Sequence, residues 1–537
     1  MRWNLSLFIL VMAAGVGLYL PSLHHPVFFD DIFFFNRNGL NDIFIAGFDF
    51  KTRWLPYFLT AWVDLIFDDK ILAQRIFSLV LHLLTGFMLY TLIKQVSSHA
   101  APHRNNERAA LAAALLFLLH PLAVYAVGYL IQRTILMATL FGLLSLNTYF
   151  DGLISRRKSY FVFAAFFYFL SVFSKEHAVL IPMAALALTP LAFPITRQNC
   201  SLLVLPFALY TPIAAWVIFE KLGILGHSYE ELAAPLISLR DLNESPQMLW
   251  LLSVVTQAAL YFKYLGLTLI PNPGWMSVDM RVPFADHLGQ PKYIFGLLAF
   301  VTSGFAGLIL LLRRGRHGLV GFALLAPWLL FVVEMSTVKI QEPFVLYRTY
   351  LWIPLLFMSI PALTYMWSDR LFWFGTLLAA LALAIASTDR LKSFSSHYIL
   401  WDDAVRKLPS TSMPGSARAY NNRCQQNLHR GQLLAAIADC TLALQVDPKY
   451  KLAYRNRAFA YMKHGDIHSA LLDAQTVVWR YPDDPHSFTL LGAIYKGAGQ
   501  IEKAIVNFEI GCKRKSLAAC VELEDLRSRI TNANGTF

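Results

Sequence analysis

Charge is scarce in this sequence: of 537 residues only 15% are Asp, Glu, Lys or Arg, against 56% hydrophobic and 14% aromatic. A wholly soluble enzyme cannot bury so much apolar surface, and a disordered or fibrous chain would not carry it. Cysteine is also sparse, and the five present (Cys200, Cys424, Cys440, Cys512, Cys520) fit no CxxC-type metal spacing. No Lys/Arg block with interleaved aromatics stands apart from the apolar runs, so the formal net charge of +12 does not point to nucleic acid. Lipid phosphates and basic loops account for it better. What is abundant is long apolar runs, with a mean hydropathy of +0.48. The chain reads as a polytopic, all-α membrane protein.

Twelve segments are long and apolar enough to be considered as spans: 5–20, 71–93, 109–131, 134–150, 160–173, 177–193, 202–219, 249–270, 293–312, 319–333, 350–367 and 371–386. The first lacks a small-x-small cleavage site after Pro21 and reads as a retained anchor. The basic loops contain Arg2; Lys94, Arg104 and Arg108; Arg156-Arg157-Lys158; Arg197; and Arg313-Arg314-Gly315-Arg316. All should face the cytoplasm. They do so only if one candidate between 219 and 293 fails to cross. Segment 249–270, with Gln257, Lys263 and a Pro271-Asn272-Pro273-Gly274 ending, is the choice, as an interfacial or re-entrant piece. The expectation is about eleven spans in a membrane domain over 1–388, with the N-terminus inside and the C-terminus outside. The first outer loop (21–70), the region 222–292, with Glu230, Glu231, Asp279 and Arg281, and everything after about 387 then face the extracytoplasmic side.

After a linker at 389–416, a fixed period appears in 417–537. Gly431, Gly465 and Gly499 are 34 residues apart, as are Ala436, Ala470 and Ala504; Pro448 and Pro482 keep the step, and Tyr420, Tyr454 and Phe488 share one position. Thirty-four residues is the tetratricopeptide (TPR) length. Three units over 417–515 and a capping helix at 517–530 make an α-solenoid, a binding surface without chemistry of its own; a merely structural cap on the membrane domain is the alternative. Cys424 and Cys440 occupy facing helices of one repeat, and Cys512 and Cys520 flank a turn. In an extracytoplasmic domain two disulfides become possible, with reduced core cysteines as the alternative.

The chemistry concentrates at the outer ends of spans. Asp30 and Asp31 lie between aromatic runs just after the first span. Carboxylates in such a place are costly unless they meet a cation, a metal or a substrate hydroxyl, and burial raises their pKa toward the range of a general base. Gln132-Arg133, Ser174-Lys175-Glu176-His177 and Leu346-Tyr347-Arg348 map to the same side. Their cations suit a lipid-linked phosphate. Glu176 adds a carboxylate for a metal or for the acceptor. His120-Pro121 falls inside the third span, where a kink is as good an account of His120 as a ligand role.

Taken in order, Asp30-Asp31, Leu119-His120-Pro121, the run 129–133 (Tyr-Leu-Ile-Gln-Arg), Phe173-Ser174-Lys175-Glu176, Tyr347-Arg348 with Tyr350 and Pro354, and then TPR repeats resemble one family. It is the transmembrane and tetratricopeptide-repeat-containing glycosyltransferases of the protein O-mannosyltransferase-like GT-C superfamily, in its bacterial branch. The resemblance implies a polyprenyl-phosphate-linked sugar donor, a catalytic acidic motif in the first outer loop, repeats on that same outer side, and a bacterial inner-membrane location. By position it makes Asp30 or Asp31 the base or metal-binding carboxylate and places Arg133, Lys175 and Arg348 beside the donor phosphate. The chain departs from the pattern at Ala123-Val124-Tyr125, where relatives carry Glu or Gln shortly after His-Pro.

The expected reaction is transfer of the sugar to a hydroxyl of an exported protein. It proceeds either by base catalysis or with a divalent cation (Mg or Mn) held by Asp30, Asp31 and Glu176. The alternatives are an enzyme using a lipid-diphosphate donor, one modifying glycan or lipid, and a non-catalytic scaffold built on the repeats.

Overall fold

A computed structural model describes residues 2–36, 51–230, 233–239 and 244–534; within it the elements are α-helices and short 3-10 turns, with no strand among the described residues. Glu231 lies outside the described residues. The chain forms two compact units, Met1–Ser396 and His397–Phe537.

Among the described residues, eight helices of the first unit are long and apolar enough to cross a membrane, or nine if the bent pair Asn106–Leu118 and Pro121–Val127 is one span. The segments expected at 160–173 and 177–193 form shorter apolar helices, Lys158–Ser174 and Glu176–Ala192. The segment at 350–367 is broken into 3-10 and short α pieces, because Pro354 and Pro361 each restart the helix. Local chemistry sets the boundaries of the long helices. Asp69 caps Lys70–Ala100 through Leu72 N–H (3.2 Å), and Ser245 caps Pro246–Leu269 through Met248 N–H (3.3 Å). The helices Pro291–Leu312 and Asp369–Ser393 turn large apolar side chains outward, Phe295, Phe305, Leu377 and Ile385 among them. Such faces suit hydrocarbon rather than water. Leu130–Ser155 is instead largely enclosed by its neighbours.

The unit has two chemically distinct ends. At the basic end Asp369 takes Asn105 Nδ2 (2.5 Å) and faces Arg104 and Arg108 (3.5 and 3.8 Å). His99 Nε2 meets Ala192 O (2.8 Å), Arg314 Nε donates to Pro190 O (2.8 Å), and Gln95 bonds Asp151. At the opposite end lie the 25–31 loop, 128–133, 174–177 and 334–348.

Helix Pro246–Leu269 is continuous and long enough to cross, yet it runs along the 335–345 segment. Trp250 Nε1 bonds Met335 O (2.9 Å), Ser253 Oγ accepts Lys339 N–H (3.1 Å) and Tyr264 Oη accepts Val345 N–H (2.7 Å). Just beyond its C-terminus, Met276 O accepts from Arg390 (2.6 Å), near the end of the helix that starts at Asp369 on the basic side. The flanks of Pro246–Leu269 thus contact Met335 and Arg390, while Arg314, after the next helix, contacts Pro190 at the basic end.

The second unit begins with helix His397–Arg406, inside the stretch expected as linker. Three helix pairs follow, Ala417–His429 with Leu433–Val446, Lys451–His464 with Ile467–Arg480, and Pro485–Gly497 with Ile501–Lys513, and then Leu517–Asn534. Gly431, Gly465 and Gly499 sit at φ 71°, 92° and 74° between the helices of each pair, with open space where a side chain would go. The left-handed turn, not crowding, requires glycine there. Ala436, Ala470 and Ala504 are fully buried at the helix crossings. These are TPR-like helical repeats. Cys424 pairs with Cys440 and Cys512 with Cys520, while Cys200 is free and exposed.

Candidate functional site

The end opposite the basic loops gathers the carboxylates and cations singled out in the sequence. Asp31 is fully buried, and its two oxygens accept backbone N–H groups of Leu130 (3.0 Å) and Ile131 (2.8 Å). Arg75, an arginine within an otherwise apolar helix, completes the clamp by donating to His25 O (2.9 Å), Gly128 O (3.3 Å) and Pro26 O. The 25–31 loop is thus fastened to 128–131. Burial pushes the Asp31 carboxyl up to about 7, against the two N–H bonds and Arg75.

The clamp presents Asp30 differently. Asp30 is exposed, and its Oδ2 accepts a hydrogen bond from Tyr129 Oη (2.9 Å). Phe29 precedes it at φ 50°, with its ring edge-on to Tyr129 at 5.2 Å. A left-handed phenylalanine costs of order 1–3 kcal/mol and persists only when its surroundings hold it; the Asp31 and Arg75 contacts supply that hold.

Tyr129 leads to the cations. Its ring lies 6.5 Å from that of Tyr347, whose face carries Lys175 Nζ at 5.1 Å. Lys175 is buried and donates to Gln132 Oε1 (3.1 Å) and Thr134 Oγ1 (3.4 Å), with no carboxylate at ion-pair distance among the described residues. Burial, aided by Arg53, lowers its ammonium to about 7. Beside it, Arg53 grips Glu176 through two hydrogen bonds, Nε to Oε2 at 3.0 Å and Nη2 to Oε1. Burial of Glu176 works against ionisation, but His177 and Arg53 prevail and hold its carboxyl well below the ordinary range. His177 stands between two acids, 3.5 Å from Glu176 and 3.4 Å from Glu334. Glu334 also receives Lys339 (2.5 Å) and Arg348 (3.3 Å), all three buried.

Two expectations meet a different geometry. Arg133 is buried, with all five guanidinium donors inside the protein: Thr60 Oγ1 and Gln74 Oε1 (2.6 Å each), Gln74 O (2.8 Å), and Ser78 Oγ twice (3.4 Å). Nothing is left over for a substrate phosphate, so Arg133 ties helix Lys70–Ala100 to Leu130–Ser155 instead. The trio Asp30, Asp31 and Glu176 does not fit a divalent cation. Asp31 is taken by amides and Glu176 by Arg53, and among the described residues no three His, Cys, Asp or Glu side chains form a metal-holding group.

His120 caps helix Pro121–Val127 through Leu122 N–H (3.3 Å) and meets Thr268 O (3.0 Å), at a 60° bend. Nδ1 thus serves the kink, while Nε2 ties it to helix Pro246–Leu269.

Sequence reasoning missed Arg53, Arg75, Glu334 and Lys339, and quoted Tyr129 within the run 129–133 without giving it a role. Arg75 had a signal, being a charge inside an apolar run; the pairing of Glu334 with His177 is long-range and left none.

No protein-family model matches the chain, and no curated protein matches it. Among solved structures, one described as the crystal structure of the APC/C hetero-tetramer Cut9-Hcn1 aligns over 91% of this chain and 92% of its own, at 12% identity and a TM-score of 0.20. At that score it carries no argument about this chain.

Proposed function

We propose that the chain is a membrane glycosyltransferase that moves a sugar from a polyprenyl-phosphate donor to a hydroxyl of an exported protein. The observation that carries the reading is the pairing of an exposed, aromatic-framed carboxylate, Asp30, with a buried lysine, Lys175, that has no carboxylate at ion-pair distance among the described residues, the two linked through Tyr129 and Tyr347. An anion is what such a lysine lacks, and a phosphate held there would lie on the Asp30 side of the protein.

In this reaction the acceptor oxygen attacks the anomeric carbon as Asp30 takes its proton. The bond from that carbon to the phosphate oxygen breaks, and the electron pair leaves with the polyprenyl phosphate. Lys175 and Arg348 stabilise the growing phosphate charge. Attack opposite the leaving group inverts the anomeric centre. Asp31 serves as the anchor of the loop rather than as the base, because both its oxygens are occupied.

The site and repeats face the outside of a bacterial inner membrane in this proposal. The segregated basic end and the two disulfides, which persist in oxidising compartments, support that side. The repeats would dock the acceptor.

The test is mass spectrometry of exported proteins from cells carrying the native gene or its Asp30→Asn version at matched levels. Loss of one defined glycan mass from Ser or Thr peptides in the variant is expected. An unchanged glycoproteome, with lipid-linked glycans also unchanged, would leave the non-catalytic scaffold as the better account.

A further inference from the structure

The carboxylate of Glu230 occupies an unusual seat. Its Oε2 accepts the N–H groups of Ile340 (2.8 Å) and Gln341 (2.6 Å), and its Oε1 that of Glu342 (3.0 Å). Three successive backbone amides converging on one anion form a nest, a concavity of fixed partial positive charge that suits phosphate as well as carboxylate.

The nest is wired to the site described above. Glu342 O accepts from Arg348 Nη1 (3.2 Å), which also contacts Glu334. Lys339, the residue before the nest, bonds Glu334 and lies within electrostatic range of Glu230. Arg281 donates to Gln341 O (2.8 Å) from the other side. Tyr229, next to Glu230, feels Arg348, Glu334 and Glu176. Besides the Glu230 carboxylate, the 225–230 segment is tied to 336–338 by Gly226 N–H to Ser336 O (2.9 Å) and Val338 N–H to His227 O (3.0 Å).

We propose that the amides of Ile340, Gln341 and Glu342 are a phosphate seat for the lipid-linked substrate, and that Glu230 fills this seat until the phosphate displaces it. The inference rests on the polyprenyl-phosphate reading. It adds a residue that competes with substrate, so that the free protein keeps its anion seat closed. A carboxylate and a phosphate cannot both sit on the same three amides, and like charges at that spacing repel.

The test is binding of farnesyl phosphate, with farnesol as the uncharged control, to the full-length protein in detergent. Wild type, Glu230→Gln and Glu230→Ala are compared, together with Arg348→Gln. Glu230→Gln keeps an acceptor oxygen for the amides while removing the charge, so it protects the fold if Glu230→Ala does not. If Glu230 fills the seat about nine-tenths of the time, removing its charge tightens farnesyl phosphate roughly tenfold, since apparent affinity scales with the competent fraction. Farnesol binding should not move.

Tighter phosphate binding by Glu230→Gln, matched by Glu230→Ala where that variant melts like wild type, supports the proposal. Unchanged or weaker phosphate binding by Glu230→Gln in a protein that melts like wild type overturns it. Should Arg348→Gln alone weaken the phosphate, the plug fails and the donor reading stands. If no form distinguishes farnesyl phosphate from farnesol, both fail.

Discussion

Lys175 offers the sharpest discrimination between a structural and a substrate-binding cation. It is buried, donates to two neutral oxygens and sits over the Tyr347 ring, with no carboxylate at ion-pair distance among the described residues. The fall of its ammonium from 10.5 to about 7 corresponds to about 5 kcal/mol disfavouring the charged form. A structural salt bridge would behave oppositely. Replacing Lys175 by Met removes that burden while keeping the stem volume, so the free protein should melt at the same or a higher temperature. Binding should suffer instead: a charge-assisted hydrogen bond to phosphate contributes about 1.5–3 kcal/mol, which is roughly 10- to 150-fold in Kd. The assay is farnesyl phosphate binding to wild type and Lys175→Met, with melting curves of both in the same detergent. A melting temperature several degrees lower in the variant, or an unchanged phosphate Kd, would refute the reasoning.

Further predictions follow from the same contacts. Because the folded value of Lys175 is about 7, phosphate binding must supply a proton above that pH, so affinity for farnesyl phosphate should fall from pH 6 to pH 8 in wild type and lose this slope in Lys175→Met. For Asp31 the linkage has the other origin: its folded value, about 7, exceeds its unfolded one of 3.8. The stabilisation it gives is complete below 3.8 and lost as pH rises through 7, so the wild-type melting temperature should drop from pH 5 to pH 8 more than that of Asp31→Asn. Arg133→Met should lower the melting temperature and yield, leaving buried Gln74 and Thr60 oxygens unpaired at about 1–3 kcal/mol each, without a selective loss of phosphate over farnesol. Reducing Cys424–Cys440, which closes a separation of 16 residues, should cost the repeats about 3 kcal/mol, read as a shift in denaturant midpoint with and without reductant.

The helical repeats were legible because their requirements are local and periodic. A glycine at each left-handed turn and an alanine at each crossing recur every 34 residues, and no distant partner is needed to recognise them. The ion pairs Arg423 with Asp439 and Arg457 with Asp473 repeat at the same step but escape a reading of hydrophobic period alone.

In the first unit the apolar runs announced helices, while length misled at 350–367, which is long and apolar yet is broken by Pro354 and Pro361. The carboxylate pair was visible as charge in an aromatic context, but not its division of labour. Which acid is buried depends on Leu130 and Ile131 amides about a hundred residues away. Arg133 drew attention for the same reason as Lys175, a cation in a charge-poor stretch. Only the five hydrogen bonds around its guanidinium separate the two.

The most direct test of the central claim is reconstitution. Purified full-length protein in liposomes containing lipid extract from its host is mixed with exported proteins from cells lacking the gene, and intact masses are followed. The account predicts a discrete sugar-mass increment on at least one protein with wild type, abolished by Asp30→Asn, which should slow transfer about 10²- to 10⁴-fold at an unchanged melting temperature. Equal increments from wild type and Asp30→Asn, or none from an active lipid-linked donor pool, would contradict it.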